Sequence, residues 1–332
     1  MTITEGTTNR FFLIFLCLIC AAVYLNCLDN GFVLDDENLI VHNPLIKSGQ
    51  LSNLIFKTGL YEYSDTGRQD ITYDKMYRPI QNLSYALDYK IWGECSFGFH
   101  LTNILIHMLN YILIYFLFSM LLDKNIAVVT SAFFALHPIQ ASSVTYISGR
   151  ADLLVSLFVL LSIISFLKYN RGGPFLLYML SLFAATLALL CRENALFLFL
   201  FILLVLFFSA KPSKIFILLI PFLLLDLFYL GLRFMIFGYH GLTSHPVFIS
   251  LPIRIANFLN CIPRYVALLL LPLNLHLVRT TNFITSILDK RFFFTIGFIL
   301  LCIYFLKRSK KRRVYLFSAS WFLIAIFPVF FL

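Results

Sequence analysis

Charged residues are scarce in this chain, and their scarcity excludes an ordinary soluble domain. Only 13% of the 332 residues are charged, whereas 60% are hydrophobic, and the mean hydropathy is +0.88. A typical soluble domain has about 25% charged residues. The apolar runs keep a helical period and do not alternate as the strands of a membrane barrel do. We therefore predict an all-α fold, a polytopic transmembrane helical bundle.

Several kinds of motif are also missing. The sequence has no P-loop and no dinucleotide-binding fingerprint, so a soluble nucleotide donor is not indicated. Among the seven cysteines, Cys17 and Cys20 have CxxC spacing, but they lie inside the first apolar run without a second pair or a nearby histidine. A disulfide framework or a zinc site is therefore not expected. The net charge of +10 lies mainly in short loops, where it indicates membrane orientation rather than nucleic-acid binding.

Apolar runs that approach the length of a membrane span occur along the whole chain. We predict about nine spans, at about 11–28, 99–122, 126–136, 153–167, 174–190, 195–210, 215–237, 292–306 and 314–332. The run 126–136 is short and must borrow residues from its flanks. The stretch 251–273 contains three prolines, two arginines and two asparagines, so we predict a broken, re-entrant or interfacial element that does not cross.

The basic residues predict the orientation of these spans. Those on alternate connections are placed on the cytoplasmic side: Arg10, Lys124, Lys168, Arg171, Lys211 and Lys214. The basic segment 307–313 joins them only if 251–273 does not cross. The polar segment 29–97 then forms a large extracytoplasmic loop, on the same side as 137–152 and 191–194. We predict a single membrane-embedded domain over 1–332, with C-terminal truncation as an open alternative because the chain ends inside an apolar run.

An acidic cluster follows the first apolar run, at the predicted membrane surface. Asp35, Asp36 and Glu37 are adjacent, so their carboxylates repel one another and are poorly solvated near a bilayer. Such a cluster persists most readily where it binds a cation or accepts a proton from a substrate. One alternative is therefore a divalent cation, Mg²⁺ or Mn²⁺, bound at Asp36. Another is an acidic loop that is simply solvated.

The second apolar run carries a stripe of polar residues. His100, Asn103, His107 and Asn110 recur at intervals of three and four, which places them on one face of a helix. Polar groups are costly in lipid, so this face should look into the bundle or into a wet cavity. His100 and Asn103 are candidates for substrate binding, and hydrogen bonding between helices is the alternative.

Arginines and acids are also concentrated in the predicted outer connections. The planar donor fork of Arg150 suits a phosphate, and an ion pair with Asp152 at the start of a helix is the alternative reading. Arg192 and Glu193 either belong to the same pocket or form a simple surface pair. The remaining candidates for phosphate or substrate binding are Arg78, His137 and Arg233. Together these residues predict an outward-facing pocket for an anionic, lipid-anchored substrate, with carboxylates at its floor.

The same residues resemble a known family. The motifs that carry the resemblance are, in chain order, Phe32-Val33-Leu34-Asp35-Asp36, Asn43-Pro44, Tyr77-Arg78-Pro79, Phe99-His100-Leu101-Thr102-Asn103 with His107, Phe134-Ala135-Leu136-His137-Pro138, Ser148-Gly149-Arg150-Ala151-Asp152-Leu153-Leu154 and Arg192-Glu193. This order looks like the transmembrane O-mannosyltransferases that act on cadherins, and their bacterial relatives. Those proteins are GT-C membrane glycosyltransferases related to the protein O-mannosyltransferases. Two departures are the absence of tetratricopeptide repeats and the sequence Leu277-Val278-Arg279 where the family tends to have an acid.

The resemblance implies a membrane glycosyltransferase of the GT-C type. It implies a polyprenyl- or dolichyl-phosphate sugar donor, with mannose as the candidate sugar, and a hydroxyl acceptor on a protein or glycan at the extracytoplasmic face. Related enzymes use the first acid of the loop pair as the base, which points to Asp35, while Asp36 binds a cation or orients the acceptor. Arg150, with Arg78 or Arg233, would neutralise the leaving phosphate.

Two other functional classes stay open. A transporter or flippase of lipid-linked sugars would also explain polar residues within the membrane, although no two-fold internal repeat is visible. A non-catalytic membrane scaffold is the third reading. For localisation, we expect a multi-pass protein of a bacterial or archaeal plasma membrane rather than of the endoplasmic reticulum.

Overall fold

The computed structural model describes residues 3–49, 77–209, 215–237, 250–276, 284–286 and 289–331, and the regular elements within these ranges are all helical. The α-helices are α1 (Ile3–Tyr24), α2 (Pro44–Ser48), α3 (Pro79–Trp92), α4 (Ser96–Leu121), α5 (Lys124–Leu136), α6 (Ala141–Val144), α7 (Arg150–Asn170), α8 (Phe175–Cys191), α9 (Leu198–Ser209), α10 (Ile215–Phe237), α11 (Leu251–Leu270), α12 (Lys290–Arg308) and α13 (Arg312–Ile326). Shorter 3₁₀ and π elements join them. The predicted all-α class is confirmed.

Within the described ranges, five helical segments are long and apolar enough to cross a membrane: Ser96–Leu121, Ile147–Asn170, Ile217–Ile236, Leu251–Leu270 and Arg312–Phe330. A sixth candidate joins α5 to Pro138–Val144 through a bend of 47°, so the short run at 126–136 does continue into its flank. The bend falls at Pro138, whose ring removes a backbone donor. Three shorter apolar helices also occur. These helices fit the predicted polytopic bundle, and the count of nine spans stays a prediction.

The segment 251–273 was predicted to be a broken, re-entrant or interfacial element. Leu251–Leu270 form one continuous helix, so the predicted break is wrong. Pro252 lies in the first turn of α11, where a missing N–H is harmless, and Pro263 lies inside the helix. The helix ends before Pro272, as expected for the residues that precede a proline. Because α11 is among the five candidate spans, its non-crossing placement stays a prediction.

The described helices form two compact units. The first draws on Met1–Phe199 and Phe216–Leu242, and the second on Leu200–Ile215 and Thr243–Leu332. In the first unit α7 packs along α8, and α4 packs against both α5 and α7. In the second unit α11 packs on α12, and α12 packs on α13. The predicted single catalytic domain over 1–332 stays a prediction.

Part of the predicted outer loop 29–97 is helical and packed, while residues 50–76 lie outside the described ranges. The side chain of Asn43 accepts a hydrogen bond from the N–H of Leu45 (3.0 Å) and so caps α2. Gly49, with φ of 64°, ends α2 in the left-handed conformation that favours glycine. Buried apolar residues from this region, α3, α4 and the approach to α7 form one cluster: Leu39, Ile40, Leu45, Ile46, Tyr85, Ala86, Phe99 and Ile147. This cluster fixes the acidic turn against the helices.

Candidate active site

The predicted acidic pair lies on a strained turn between α1 and a π-helix, Glu37–Val41. Leu34 has φ of 52°, a left-handed conformation that costs free energy for a residue with a branched apolar side chain. Two hydrogen bonds hold the turn: the Asp36 N–H donates to the Val33 carbonyl (3.0 Å), and the Val33 N–H donates to Asp36 Oδ2 (3.2 Å). Such strain persists only where surrounding contacts over-determine it.

Asp36 is the buried member of the pair, with 0% of its surface exposed. Its Oδ1 accepts hydrogen bonds from the Ser148 N–H (2.8 Å) and from the Ser148 hydroxyl. Burial raises the pKa of Asp36 above its ordinary value, the bonds from Ser148 and Val33 oppose that rise, and the neighbouring Asp35 charge adds to it. Asp36 therefore acts as a fixed hydrogen-bonding anchor for the turn.

Asp35 is only half-buried, so of the two acids it has the better access to a substrate. Its N–H donates to the hydroxyl oxygen of Tyr146 (3.3 Å). Burial and the Asp35 charge raise the pKa of Tyr146 above its ordinary value, so the phenol keeps its proton. The geometry separates the two carboxylates into an accessible one and an anchored one.

The connection before α7 holds Tyr146 and Ser148 in place. Asn103 of α4 donates through Nδ2 to the carbonyls of Val144 (3.3 Å), Tyr146 (3.2 Å) and Ile147 (3.4 Å). Gln81 of α3 donates to the Ser148 carbonyl (3.2 Å). Asn103 was predicted to bind substrate or to form hydrogen bonds between helices. It bonds to the connection before α7, and its substrate-binding role stays a prediction.

A close approach requires glycine in the same connection. A Cβ atom at Gly149 would lie 2.7 Å from the Ser142 carbonyl oxygen and 2.9 Å from Ser143 Cα. Those are backbone atoms, which cannot move aside as a flexible side chain can. Gly149 therefore lets the chain pass close to α6 and directs Ser148 towards the acidic turn.

Arg150 does not occupy the position that the sequence predicted. Its surface is 0% exposed, Nε donates to Asn103 Oδ1 (2.8 Å), and Nη2 donates to the Phe99 carbonyl (2.9 Å) and lies 2.6 Å from Asp88 Oδ2. Nη1 donates to the carbonyl and hydroxyl oxygens of Ser84 (3.3 and 3.4 Å). All of its nitrogens thus have protein partners. The predicted pair with Asp152 is wrong, because Arg150 pairs with Asp88, and the geometry gives it a structural role.

A second cluster collects the other predicted arginines. Arg78 Nη2 lies 3.2 Å from Glu193 Oε1, and Arg233 Nη1 lies 3.9 Å from Glu193 Oε2. Arg192 pairs with Asp152 of α7, so the predicted surface pair of Arg192 with Glu193 is wrong. The arginine cluster, defined as these five residues, contains three guanidinium groups and two carboxylates. Its surplus of positive charge suits an anionic ligand.

The arginine cluster and the acidic turn are linked through two helix starts. Arg78 is the N-cap of α3, and Gln81 in the first turn of that helix donates to the Ser148 carbonyl. At the start of α7, Ser148 bonds to Asp36, whereas Asp152 in the first turn pairs with Arg192. The same two helix ends therefore position both groups of side chains.

The predicted polar stripe of α4 is buried along its whole length. His100, Asn103, His107 and Asn110 are each at most 1% exposed. His107 Nε2 lies 3.0 Å from the Ala135 carbonyl, and Asn110 donates to the Leu153 carbonyl (2.9 Å). The stripe therefore joins α4 to α5 and α7. Among the described residues, neither ring nitrogen of the buried His100 has a hydrogen-bond partner, and its substrate-binding role stays a prediction.

His137 marks the bend between α5 and the next 3₁₀ turn. Its Nδ1 accepts a hydrogen bond from the Ile139 N–H (3.2 Å), and its ring packs 4.6 Å from that of Phe133. These contacts stabilise the start of the turn, as an N-cap does. A direct role of His137 in substrate binding stays a prediction.

The predicted metal role of Asp36 is not matched by a ligand set. Among the residues that the structure describes, no group of three His, Cys, Asp or Glu side chains lies close enough to hold a metal ion. Both Asp36 oxygens accept hydrogen bonds from the protein. Metal dependence stays an open prediction for an experiment. Residues 277–279, where the family pattern is broken, lie outside the described ranges, as do Lys211 and Lys214.

These features define a class of protein: a helical membrane protein with paired carboxylates and a partly exposed arginine cluster in its first unit. Residues 79–233 match the family described as dolichyl-phosphate-mannose-protein mannosyltransferase. This matched region covers a little under half of the chain, and over it the chain is similar to proteins named protein O-mannosyl-transferases. No solved structure matches it.

Individual relatives agree with the family match. Protein O-mannosyl-transferase F38B6.6 of Caenorhabditis elegans is 33% identical over 172 residues, which cover 51% of this chain and 24% of the relative. Protein O-mannosyl-transferase TMTC1 of Homo sapiens is 34% identical over 194 residues, 53% of this chain and 21% of the relative. Human TMTC4 is 30% identical over 188 residues, 50% of this chain and 25% of the relative. The chain thus spans a quarter or less of the length of these animal proteins, which lend no support to the predicted bacterial or archaeal membrane.

Several residues of the site were missed by sequence reasoning. Asp88, Tyr146 and Ser148 were not predicted as site residues, yet they contact Arg150, Asp35 and Asp36. The sequence did carry a signal for Asp88: Gln81, Tyr85 and Asp88 recur at intervals of four and three after Arg78-Pro79, a pattern typical of one helix face. No comparable signal marks Tyr146.

Proposed function

We propose that this protein is an integral membrane glycosyltransferase that transfers a sugar from a polyprenyl- or dolichyl-phosphate carrier to a hydroxyl group of a protein. The observation that carries the proposal is that the starts of α3 and α7 position both an accessible carboxylate, Asp35, and the arginine cluster. The matched family is described by a dolichyl-phosphate-mannose donor and a protein acceptor, which makes mannose the first sugar to test.

In the proposed reaction Asp35 is the general base. Its carboxylate accepts the proton of the acceptor hydroxyl while the hydroxyl oxygen forms a bond to the anomeric carbon of the sugar. The bond between that carbon and the carrier's phosphate oxygen breaks, and the electron pair leaves with the phosphate. Asp36 does not take part in proton transfer, because its oxygens hold Ser148 and the turn.

The arginine cluster is proposed to bind the carrier phosphate. Charge builds up on this phosphate as the glycosidic oxygen leaves, and guanidinium groups that are already in place stabilise it without reorganisation. Arg78 and Arg233 are the main candidates, because Glu193, between them, is their shared carboxylate partner. The side chain of Arg78 is only 9% exposed and that of Arg233 only 16%, and partial burial strengthens such electrostatic interactions.

We place the reaction at the extracytoplasmic face. The support is the alternation of basic connections along the chain, which puts 29–97, 137–152 and 191–194 on the side opposite the basic loops. The connection directly before α7, residues 145–149, contains no lysine or arginine, whereas Lys168 and Arg171 lie at the other end of this helix.

The test is a transfer assay with the purified protein reconstituted in lipid vesicles. Polyprenyl phosphate carrying radiolabelled mannose or glucose is supplied with a serine- and threonine-containing peptide, with and without EDTA. Label in the peptide supports the proposal, and its loss in EDTA would reveal a metal requirement. Movement of the labelled lipid across the bilayer without transfer would indicate a flippase, and neither activity would indicate a scaffold.

A further inference from the structure

The basic segment 307–313 concentrates positive charge at the junction of α12 and α13. Six of its seven residues are lysine or arginine, and all six of these side chains are exposed. The stretches that form the second unit, Leu200–Ile215 and Thr243–Leu332, contain a single acidic residue, Asp289. Asp289 pairs with Arg291 (2.6 Å) at the other end of α12, roughly 27 Å from Lys307 along the helix. The second unit therefore supplies no carboxylate partner for the six charges.

This arrangement of charges is costly without an anion from outside. Adjacent like charges repel one another. Lys307 and Arg308 lie in the last turn of α12, where a helix favours cations. Arg312 and Arg313 instead begin α13, whose first turn contains no acidic residue, and the start of a helix disfavours cations. An anion bound at the segment would offset both the repulsion and the unfavourable position of these two arginines.

Within the described residues, the protein holds two of the six side chains. Arg308 lies over the ring of Tyr304 (5.0 Å). Arg313 lies over the ring of Phe208 (5.2 Å) and donates a hydrogen bond to the Phe208 carbonyl. The other four side chains have no hydrogen bond, ion pair or ring contact with the part of the chain that the structure describes: Lys307, Lys310, Lys311 and Arg312. Their N–H groups are therefore available to a ligand.

The side chains on both sides of the segment indicate where it lies relative to a bilayer. Tyr304 and Phe305, just before it on α12, are 49% and 62% exposed, and Tyr315 and Leu316, just after it on α13, are 50% and 45% exposed. Tyrosine is enriched where membrane helices meet the aqueous interface. The start of α13 is also the start of the candidate span Arg312–Phe330. The six cations thus adjoin surfaces that suit hydrocarbon, at the depth of the lipid headgroups.

We propose that the basic segment 307–313 binds the headgroups of anionic phospholipids. Clusters of about four to eight basic residues next to a membrane helix are typical of such binding. Phosphate oxygens accept hydrogen bonds from lysine and arginine, and the net negative charge of phosphatidylglycerol distinguishes it from zwitterionic phosphatidylcholine. An acidic peptide is less suited, because it lacks the acyl chains that the exposed apolar side chains beside the segment would contact. This proposal does not depend on the proposed function.

The test compares two variants that each lose four positive charges. The segment variant combines Lys307→Gln, Lys310→Gln, Lys311→Gln and Arg312→Gln. The control variant combines changes of four exposed side chains on four different helices: Lys90→Gln, Lys168→Gln, Arg254→Gln and Lys290→Gln. Fluorescently labelled phosphatidylglycerol is titrated into each purified protein in an uncharged detergent.

The segment variant should lose affinity for this lipid selectively. Each basic residue near an anionic lipid surface strengthens binding by roughly fivefold, so the segment variant should bind phosphatidylglycerol at least about tenfold more weakly than the wild type. The control variant should bind it like the wild type. Equal affinity in the segment variant and the wild type would overturn the proposal.

Competition and hydrogen exchange then identify the ligand and locate its site. Unlabelled phosphatidylglycerol should displace the label, whereas phosphatidylcholine, inorganic phosphate and an acidic peptide should not. Equal displacement by any of these three would overturn the assignment to anionic phospholipids. In the wild type, phosphatidylglycerol should slow the exchange of backbone N–H groups around 307–313, and unchanged exchange there would contradict the proposed site even if the lipid binds elsewhere.

Discussion

Arg150 Nη2 lies 2.6 Å from Asp88 Oδ2, and both side chains are buried. Burial raises the pKa of the Asp88 carboxyl, and the neighbouring Arg150 and Thr102 only partly oppose that rise. The pair is thus costly to bury, as ion pairs in apolar surroundings are. The pair helps to fix the arrangement of the helices. Arg150 also bonds to Asn103, Phe99 and Ser84 and so joins α3, α4 and α7 next to the connection that contains Ser148.

The Arg150–Asp88 pair predicts a double-mutant result. Arg150→Met alone should destabilise the protein by about 3–5 kcal/mol, because it leaves the buried Asp88 charge without its partner. Arg150→Met combined with Asp88→Leu should cost less than the two single changes added together. Thermal unfolding in detergent measures both effects. Combining Arg150→Met with Asp152→Leu is the matched control, and its loss of stability should equal the sum of the two single losses. A smaller loss would instead indicate that Arg150 pairs with Asp152, as the sequence suggested.

Asp36 predicts a pH dependence of stability. Its pKa is raised in the folded protein by burial, so the folded state binds the proton more tightly than the unfolded state does. The stability that this group contributes is therefore full at low pH and is lost as the pH rises through the folded pKa. The unfolding midpoint of the wild type relative to Asp36→Asn should fall across that window, by roughly 2–4 °C for each 1 kcal/mol.

The opposite slope would contradict this account of Asp36. A midpoint difference that grows as the pH rises would mean that the bonds from Ser148 and Val33 outweigh the burial of the charge. Folding would then stabilise the ionised form of Asp36, and the rise of its pKa in the folded protein would be wrong.

The arginine cluster predicts selective loss of donor binding. Arg78→Gln and Arg233→Gln should each weaken retention of polyprenyl phosphate by about tenfold to hundredfold, as the loss of one hydrogen bond to a charged group does. The measurement is binding of labelled polyprenyl phosphate to the purified protein. Arg171→Gln is the control, since Arg171 ends α7 at its other end and bonds to the Met120 carbonyl. Equal losses of binding in all three variants would contradict the proposal that the arginine cluster binds the carrier phosphate.

The distribution of basic residues predicts the topology. In a background without the native cysteines, a single cysteine at Ser142 should react with an impermeant reagent applied from outside, whereas one at Lys310 should not. Both native side chains are exposed, so accessibility within the protein does not limit the reaction. External labelling at Lys310 would mean that α11 crosses the membrane and that the basic segment 307–313 lies outside.

The fold class and the positions of many helices could be predicted from the sequence. Apolar runs and their period identified the helices around 99–122 and 215–237, because the bilayer imposes both a minimum length and internal hydrogen bonding. The same reasoning failed at 251–273, where three prolines suggested a break. Pro252 lies in the first turn of α11 and Pro272 lies after its end, so only Pro263 lies inside the helix.

The site was predictable in its residue types but not in its pairings. Asp35, Asp36 and the arginines were identified because charge is expensive in such a chain. Their partners come from distant segments: Ser148 lies 112 residues from Asp36, and Glu193 lies 115 residues from Arg78. No local pattern records such contacts, which is why the sequence suggested a phosphate or Asp152 as the partner of Arg150 and why Tyr146 was missed.

The most direct test of the account is the rate of sugar transfer by Asp35→Asn beside Asp29→Asn. Asp29 precedes the acidic turn and is exposed, so the pair of variants removes one charge from the same region in each case. Asp35→Asn should lower kcat by about 10²–10⁴ with donor binding kept, and Asp29→Asn should match the wild type. Full turnover by Asp35→Asn would contradict the assignment of Asp35 as the base and, with it, the proposed mechanism.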